Sequence, residues 1–131
     1  MSKGEEKIAS ILRKNKIEYQ REKSFSDLKH GLFRFDFYLP SARVVVEFNG
    51  RQHYENIKHF FKERREWQKA QEHDRRKISY CLANNIPIYI VPFWEIDKIN
   101  TMEELFNQKF LATTRWKNDD DYKKYTLANK K

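Results

Sequence analysis

The sequence predicts an α/β domain with a mixed central sheet of about four strands flanked by helices, and three patterns carry that prediction. Phe33-Arg-Phe-Asp-Phe-Tyr-Leu39 alternates apolar and polar residues as a half-buried strand does. Val44-Val-Val-Glu-Phe-Asn49 and Ile86-Pro-Ile-Tyr-Ile-Val91 are nearly continuous apolar runs, the mark of strands covered on both faces. Helical spacing recurs in the opening residues and again through a long middle stretch without Pro or Gly.

Each element has a local cause. Ser2 and Glu5 have the spacing of a capping box, and Ile8, Ile11 and Leu12 follow at helical intervals, so a first helix is expected over about residues 3–15. At about 100° per residue Glu5 lies about 20° from Leu12 and faces inward, whereas Glu6 points to water. Tyr19 to Phe25 has strand composition. In the next strand Phe33, Phe35, Phe37 and Leu39 are expected on one face, with Arg34, Asp36 and Tyr38 on the other. Pro40 to Arg43 turns the chain into the Val44 strand, which Gly50 ends. Residues from about Glu55 to Asn84 read as helix with a break near Lys62 to Arg65, and Asp74, Lys77, Ile78 and Cys81 share one stripe of it. A strand follows over Ile86 to Val91, and Asn100 or Thr101 caps a last short helix over Met102 to Phe110. Residues 1–111 are expected to form the domain and 112–131 a basic polar tail.

Composition narrows the function classes. A chain of 131 residues fits one core. Aromatics reach 15%, enough to fill that core and to exclude disorder throughout. The single cysteine, Cys81, excludes an internal disulfide and a cysteine-based zinc cage. The longest apolar run is far short of the roughly 20 residues that span a bilayer, and no charged-then-apolar leader opens the chain, so a soluble, intracellular protein is expected. The net charge of +8 is concentrated in residues 1–30, 51–77 and 112–131 and makes a nucleic acid the first partner to consider.

The candidate chemistry lies in the second and third strands. If Leu39 faces Val44 across the Pro40–Arg43 turn, Asp36 faces Glu47 on the side opposite the phenylalanines. Two adjacent carboxylates repel, and a divalent cation with oxygen ligands relieves that repulsion. The alternative pairs Asp36 with Arg34 or Arg43 and leaves Glu47 as a strand cap. Just beyond Glu47, Asn49, Gln52 and His53 gather polar groups and a side chain titrating near neutrality. On the central helix, Asp74 and Lys77 share a face with Ile78 and Cys81, which turns them toward the sheet or leaves them as an ordinary helix ion pair.

The ordered series Gly4-Glu5, Glu22 before Phe25, Phe33 to Leu39, Val46-Glu-Phe-Asn-Gly-Arg-Gln-His-Tyr54, Asp74-x-x-Lys77 and Asn85-Ile-Pro-Ile-Tyr-Ile90 resembles the restriction-endonuclease-like nucleases of the PD-(D/E)xK superfamily. Within it the similarity is greatest to the small domains related to the very short patch repair endonuclease and to phage or intron-borne homing nucleases. The resemblance covers about residues 2–96. It implies a Mg²⁺- or Mn²⁺-dependent DNA endonuclease of the cytoplasm, bacterial or of a phage-infected host, acting on duplex DNA. Asp36 and Glu47 correspond to the principal metal ligands, the Phe48 carbonyl to a third, and Glu5 to the helix glutamate that reaches the same site. The usual catalytic lysine two residues after the acid is absent, with Asn49 there instead. Its role falls either to Lys77, supplying the cation from the helix, or to Gln52 and His53, with Asp74 supporting; His53 is expected ahead of Lys77 because its place in Gly-x-Gln-His is tied to the acid's strand. Arg51, Arg64, Arg65, Arg75 and Arg76 are expected to hold the DNA backbone. The rival readings are a DNA-binding module that retains the nuclease fold without catalysis, and a basic protein whose partner is RNA or another protein.

Overall fold

In the computed structural model, which describes residues 1–27, 33–50 and 64–112 and the side chains of the last segment from Glu72 onward, the chain is a mixed α/β domain built on one four-stranded sheet. Helix α1 (Lys3–Lys14) precedes β1 (Gln20–Ser24), β2 (Arg34–Leu39) and β3 (Val44–Asn49); α2 (Arg64–Ala83) leads to β4 (Ile88–Pro92), and α3 (Met102–Leu105) follows. The strands lie in chain order, β1-β2-β3-β4. Both hairpin contacts are antiparallel, while β3 and β4 run parallel because α2 carries the chain back along the sheet.

Helix α1 starts where its capping box demands: the Ser2 hydroxyl accepts from the Glu5 amide, and a Glu5 carboxylate oxygen accepts from the Ser2 amide at 2.9 Å. Its buried face, Ile8, Ile11 and Leu12, packs with Phe37, Leu39, Val46 and Val91 in one core. The other core lies under α2, where Ile78 and Cys81 meet Phe35, Val45, Ile88 and Ile90. Thr101 caps α3 in a second capping box, but that helix is shorter than its pattern suggested and gives way to a 3₁₀ turn at Gln108–Phe110. Leu111 bridges to Tyr89, and Ala112, expected as the first residue of the tail, is buried in the core under α2. The remaining tail lies outside the described residues. Among the described residues no helix is long and apolar enough to cross a membrane.

The one-face expectation for β2 fails at its middle. Phe37 and Leu39 face α1, yet Phe35 packs in the core under α2, and the Phe33 ring stands 4.7 Å from the His73 ring of α2. The change of side falls at Asp36. In a regular antiparallel strand one residue sends its N–H and C=O to the same neighbour. At Asp36 the N–H turns to Glu47 of β3, and the C=O accepts from Arg21 of β1. The opposing residue, Glu22, has φ 54° and is the gap in a ladder whose pairs Arg21–Phe37 and Lys23–Phe35 are otherwise in register. The sheet therefore switches faces at the carboxylate.

Gly4 sets how closely α1 approaches the sheet. A Cβ added there would lie 2.4–2.7 Å from three atoms of the Phe48 ring, so no side chain fits without displacing that ring or the helix. Gly4→Ala is expected to lower stability by about 1–3 kcal/mol, as other overpacking changes do, with Phe48→Leu in the same chain restoring part of it. Thermal denaturation of the single and double variants checks this, and a neutral Gly4→Ala would show that the contact relaxes freely.

Candidate active site

The hairpin register is Phe37–Val46, Tyr38–Val45 and Leu39–Val44, which brings Asp36 opposite Glu47. There the two carboxylates replace the ladder. The Asp36 amide donates to Glu47 Oε2 at 2.5 Å, and the Phe48 amide donates to Asp36 Oδ2 at 2.8 Å. Each acid is thus held by a backbone N–H of the other's strand, and the two stand together at the point where β2 and β3 part. Neither Arg34 nor Arg43 takes the role of partner to Asp36 in these contacts.

From the opposite layer, α2 delivers a cation. The stripe Asp74, Lys77, Ile78 and Cys81 is turned inward: Asp74, Ile78 and Cys81 are buried, and Lys77 Nζ lies 3.1 Å from Glu47 Oε1 and 5.4 Å from the centre of the Phe35 ring. Lys77 thus reaches the acid from the helix on the side of the sheet to which Phe35 has moved. Glu5 approaches from α1, and Asp36 is among the groups that act on its carboxyl. One of its oxygens serves the capping box, and Oε2 is 3.6 Å from Arg21 NH2. Glu6 is exposed, as the helical phase requires.

The electrostatics follow from this crowding. Burial, followed by repulsion from Glu47, raises Asp36 from its ordinary 3.8 to about 8. Burial also pushes Glu47 up against the pull of Lys77. For Lys77 burial works downward, but Glu47 and Asp74 outweigh it and hold the ammonium above its ordinary range. Glu5 is lowered, since burial is outweighed by the Ser2 amide and Arg21. Among the described residues the site carries an excess of acid, with Glu47, Asp74 and Asp36 all acting on the ammonium of Lys77.

That excess has a measurable cost. A carboxyl whose pKa is raised on folding stabilises the fold below its unfolded pKa and loses that contribution as pH rises through the folded value. In EDTA, Asp36→Asn, which keeps an acceptor for the Phe48 amide, is expected to match the native chain near pH 4. It should exceed the native thermal midpoint by about 5 °C near pH 9. A difference that does not grow with pH would mean that Asp36 carries no charge burden.

The donor set suits a hard divalent cation. Among the described residues no group of three or more His, Cys, Asp or Glu side chains forms a metal cage. Mg²⁺ is commonly held by one or two carboxylates together with water and substrate phosphate, and Asp36 and Glu47 supply that number. The ring of Phe48 supports α1 at Gly4. Asn49, in the position of the usual lysine, is buried at the end of β3 beside Pro92 of β4. Of the expected DNA contacts, Arg76 is exposed and pairs with Glu72 at 3.0 Å, and Arg75 is half-buried. Arg64 and Arg65 open α2. Arg51, Gln52 and His53 lie outside the described residues. Arg21 was not legible as part of the site, since only the cross-strand register places it beside Asp36.

No protein-family model matches the chain. It is similar to the uncharacterized protein 307L of Invertebrate iridescent virus 6, with 37% identity over 67 residues, which are 50% of this chain and 34% of that protein. The chain thus matches about a third of the length of that curated relative.

Proposed function

We propose that this protein is a metal-dependent DNA endonuclease of restriction-endonuclease-like architecture, hydrolysing phosphodiester bonds in duplex DNA. The observation that carries the reading is the junction of β2 and β3, where two carboxylates from adjacent strands, Glu47 buried and Asp36 half-buried, are each pinned by the other strand's amide and the half-buried Lys77 contacts Glu47. Asp36 and Glu47 would hold Mg²⁺ or Mn²⁺, with the Phe48 carbonyl as a further donor and Glu5 supporting from α1. The ion would supply Lewis-acid polarisation of the phosphate and a lowered pKa for bound water.

The remaining work falls to the chain. Lys77, kept charged by Glu47 and Asp74, offers a fixed cation to the negative charge that develops on the phosphate. It replaces the lysine absent at Asn49. Asp74, one turn before it on the same inward stripe, supports its charge. Glu47 orients the Lys77 ammonium through Oε1 and accepts from the Asp36 amide through Oε2. The basic excess of the chain, +8, supplies sequence-independent attraction to the DNA backbone.

The substitution at Asn49 favours one other reading, a DNA-binding module that retains the fold without cleaving. Incubation of supercoiled plasmid with the protein separates the two. Nicked or linear product with Mg²⁺ and none with EDTA is expected, whereas retarded but intact plasmid in both would establish the binding module.

A further inference from the structure

The Asp36 peptide is unusual in that side chains satisfy both of its polar groups. Its N–H goes to Glu47, and its C=O, which would otherwise pair with β1, accepts from Arg21 NH1 at 2.8 Å. The left-handed Glu22 opens that position, since it is the one residue of β1 missing from a ladder that continues on both sides of it. A non-glycine residue at such a φ costs of order 1 kcal/mol and persists where its surroundings impose it. The same guanidinium lies over the Phe37 ring at 4.4 Å and places its NH2 3.6 Å from Glu5 Oε2 and 3.9 Å from Glu22 Oε1. Arg21 therefore joins three elements, α1, β1 and β2, at the residue where β2 changes sides.

We propose that Arg21 is a positioning residue of the carboxylate site. It clamps the Asp36 carbonyl and the Glu5 carboxylate at once, so that the acids of β2 and α1 are set for a divalent ion before it arrives. The planar fork of arginine suits both contacts, because one nitrogen holds a carbonyl while the next faces a carboxylate. Lysine, a single point charge, holds one partner at a time. The inference rests on the metal-site reading of Asp36 and Glu47. Outer contacts that orient metal-binding groups contribute about 10- to 100-fold to metal affinity, which sets the scale of the expected effect.

The test is Mn²⁺ binding to the full-length chain, read as free Mn²⁺ by electron paramagnetic resonance, with thermal midpoints in EDTA measured alongside. Arg21→Gln is expected to weaken Mn²⁺ binding about tenfold. Arg21→Lys should fall between it and the native chain, and it carries the test if Arg21→Gln does not fold. In a Glu5→Gln background Arg21→Gln should cost less, because one of its two partners is already altered. Equal or tighter Mn²⁺ binding by folded Arg21→Gln and Arg21→Lys, whatever their midpoints, or strict additivity with Glu5→Gln, overturns the assignment while leaving the metal site standing. Absence of Mn²⁺ binding by the native chain overturns the metal-site reading itself, and this inference with it.

Discussion

Glu47→Gln and Asp36→Asn are each expected to lower the single-turnover rate of Mg²⁺-dependent cleavage by at least about 10³-fold while leaving duplex DNA binding within a few-fold. Both substitutions are nearly isosteric and keep an oxygen acceptor for the strand amides that hold the acids, Asp36 N–H for Glu47 and Phe48 N–H for Asp36. What they remove is charge. Loss of rate then reports on the carboxylates as such, and Asp36→Asn supplies its own control, since it is expected to be the more stable chain at alkaline pH. Rate lost together with stability would point instead to a damaged hairpin. Cleavage at the native rate by either variant would remove the pair from the mechanism. DNA affinity is the second readout: backbone attraction draws on the net charge of +8, which one added unit barely alters.

Lys77→Met is expected to lower the same rate by about 10²- to 10³-fold, the range for removing one preorganised group that faces developing charge. Methionine keeps an unbranched apolar stem and deletes the ammonium, which lies 3.1 Å from Glu47 and 5.4 Å from the centre of the Phe35 ring. Glu47 then loses its cation and takes up a proton more readily, so the rate of the variant should recover in part as pH is raised, while the native rate follows its own profile. Lys77→Arg, which keeps the charge but changes its shape, should retain more activity. The order expected from sequence placed His53, which lies outside the described residues, ahead of Lys77. Proximity along the chain favoured His53, whereas Lys77 is in contact with the acid across the fold. His53→Ala is accordingly expected to cost less than Lys77→Met, and the opposite order would return the assignment to His53.

The sequence by itself determined the parts of this site that depend on local periodicity. The capping box at Ser2 sets the phase of α1, and that phase turns Glu5 inward and Glu6 outward. The short turn after Leu39 leaves few ways to close the hairpin, and a register that buries Val45 and Val46 brings Asp36 opposite Glu47. Spacing of three and four residues placed Asp74, Lys77, Ile78 and Cys81 on one inward stripe. Tertiary structure alone decided what those groups meet. Strict alternation put Phe35 and Phe37 on one face, yet Glu22 adopts a left-handed backbone and Asp36 divides its peptide between two neighbouring strands, so the two rings enter different cores. Periodicity assumes a regular ladder and carries no sign of where the ladder breaks. The depth at which α2 crosses the sheet, which takes Lys77 to Glu47, and the cross-strand reach of Arg21 to Asp36 and Glu5 depend on contacts between residues far apart in the chain. Those distances are set by how two cores of unequal side chains pack against opposite faces of one twisted sheet.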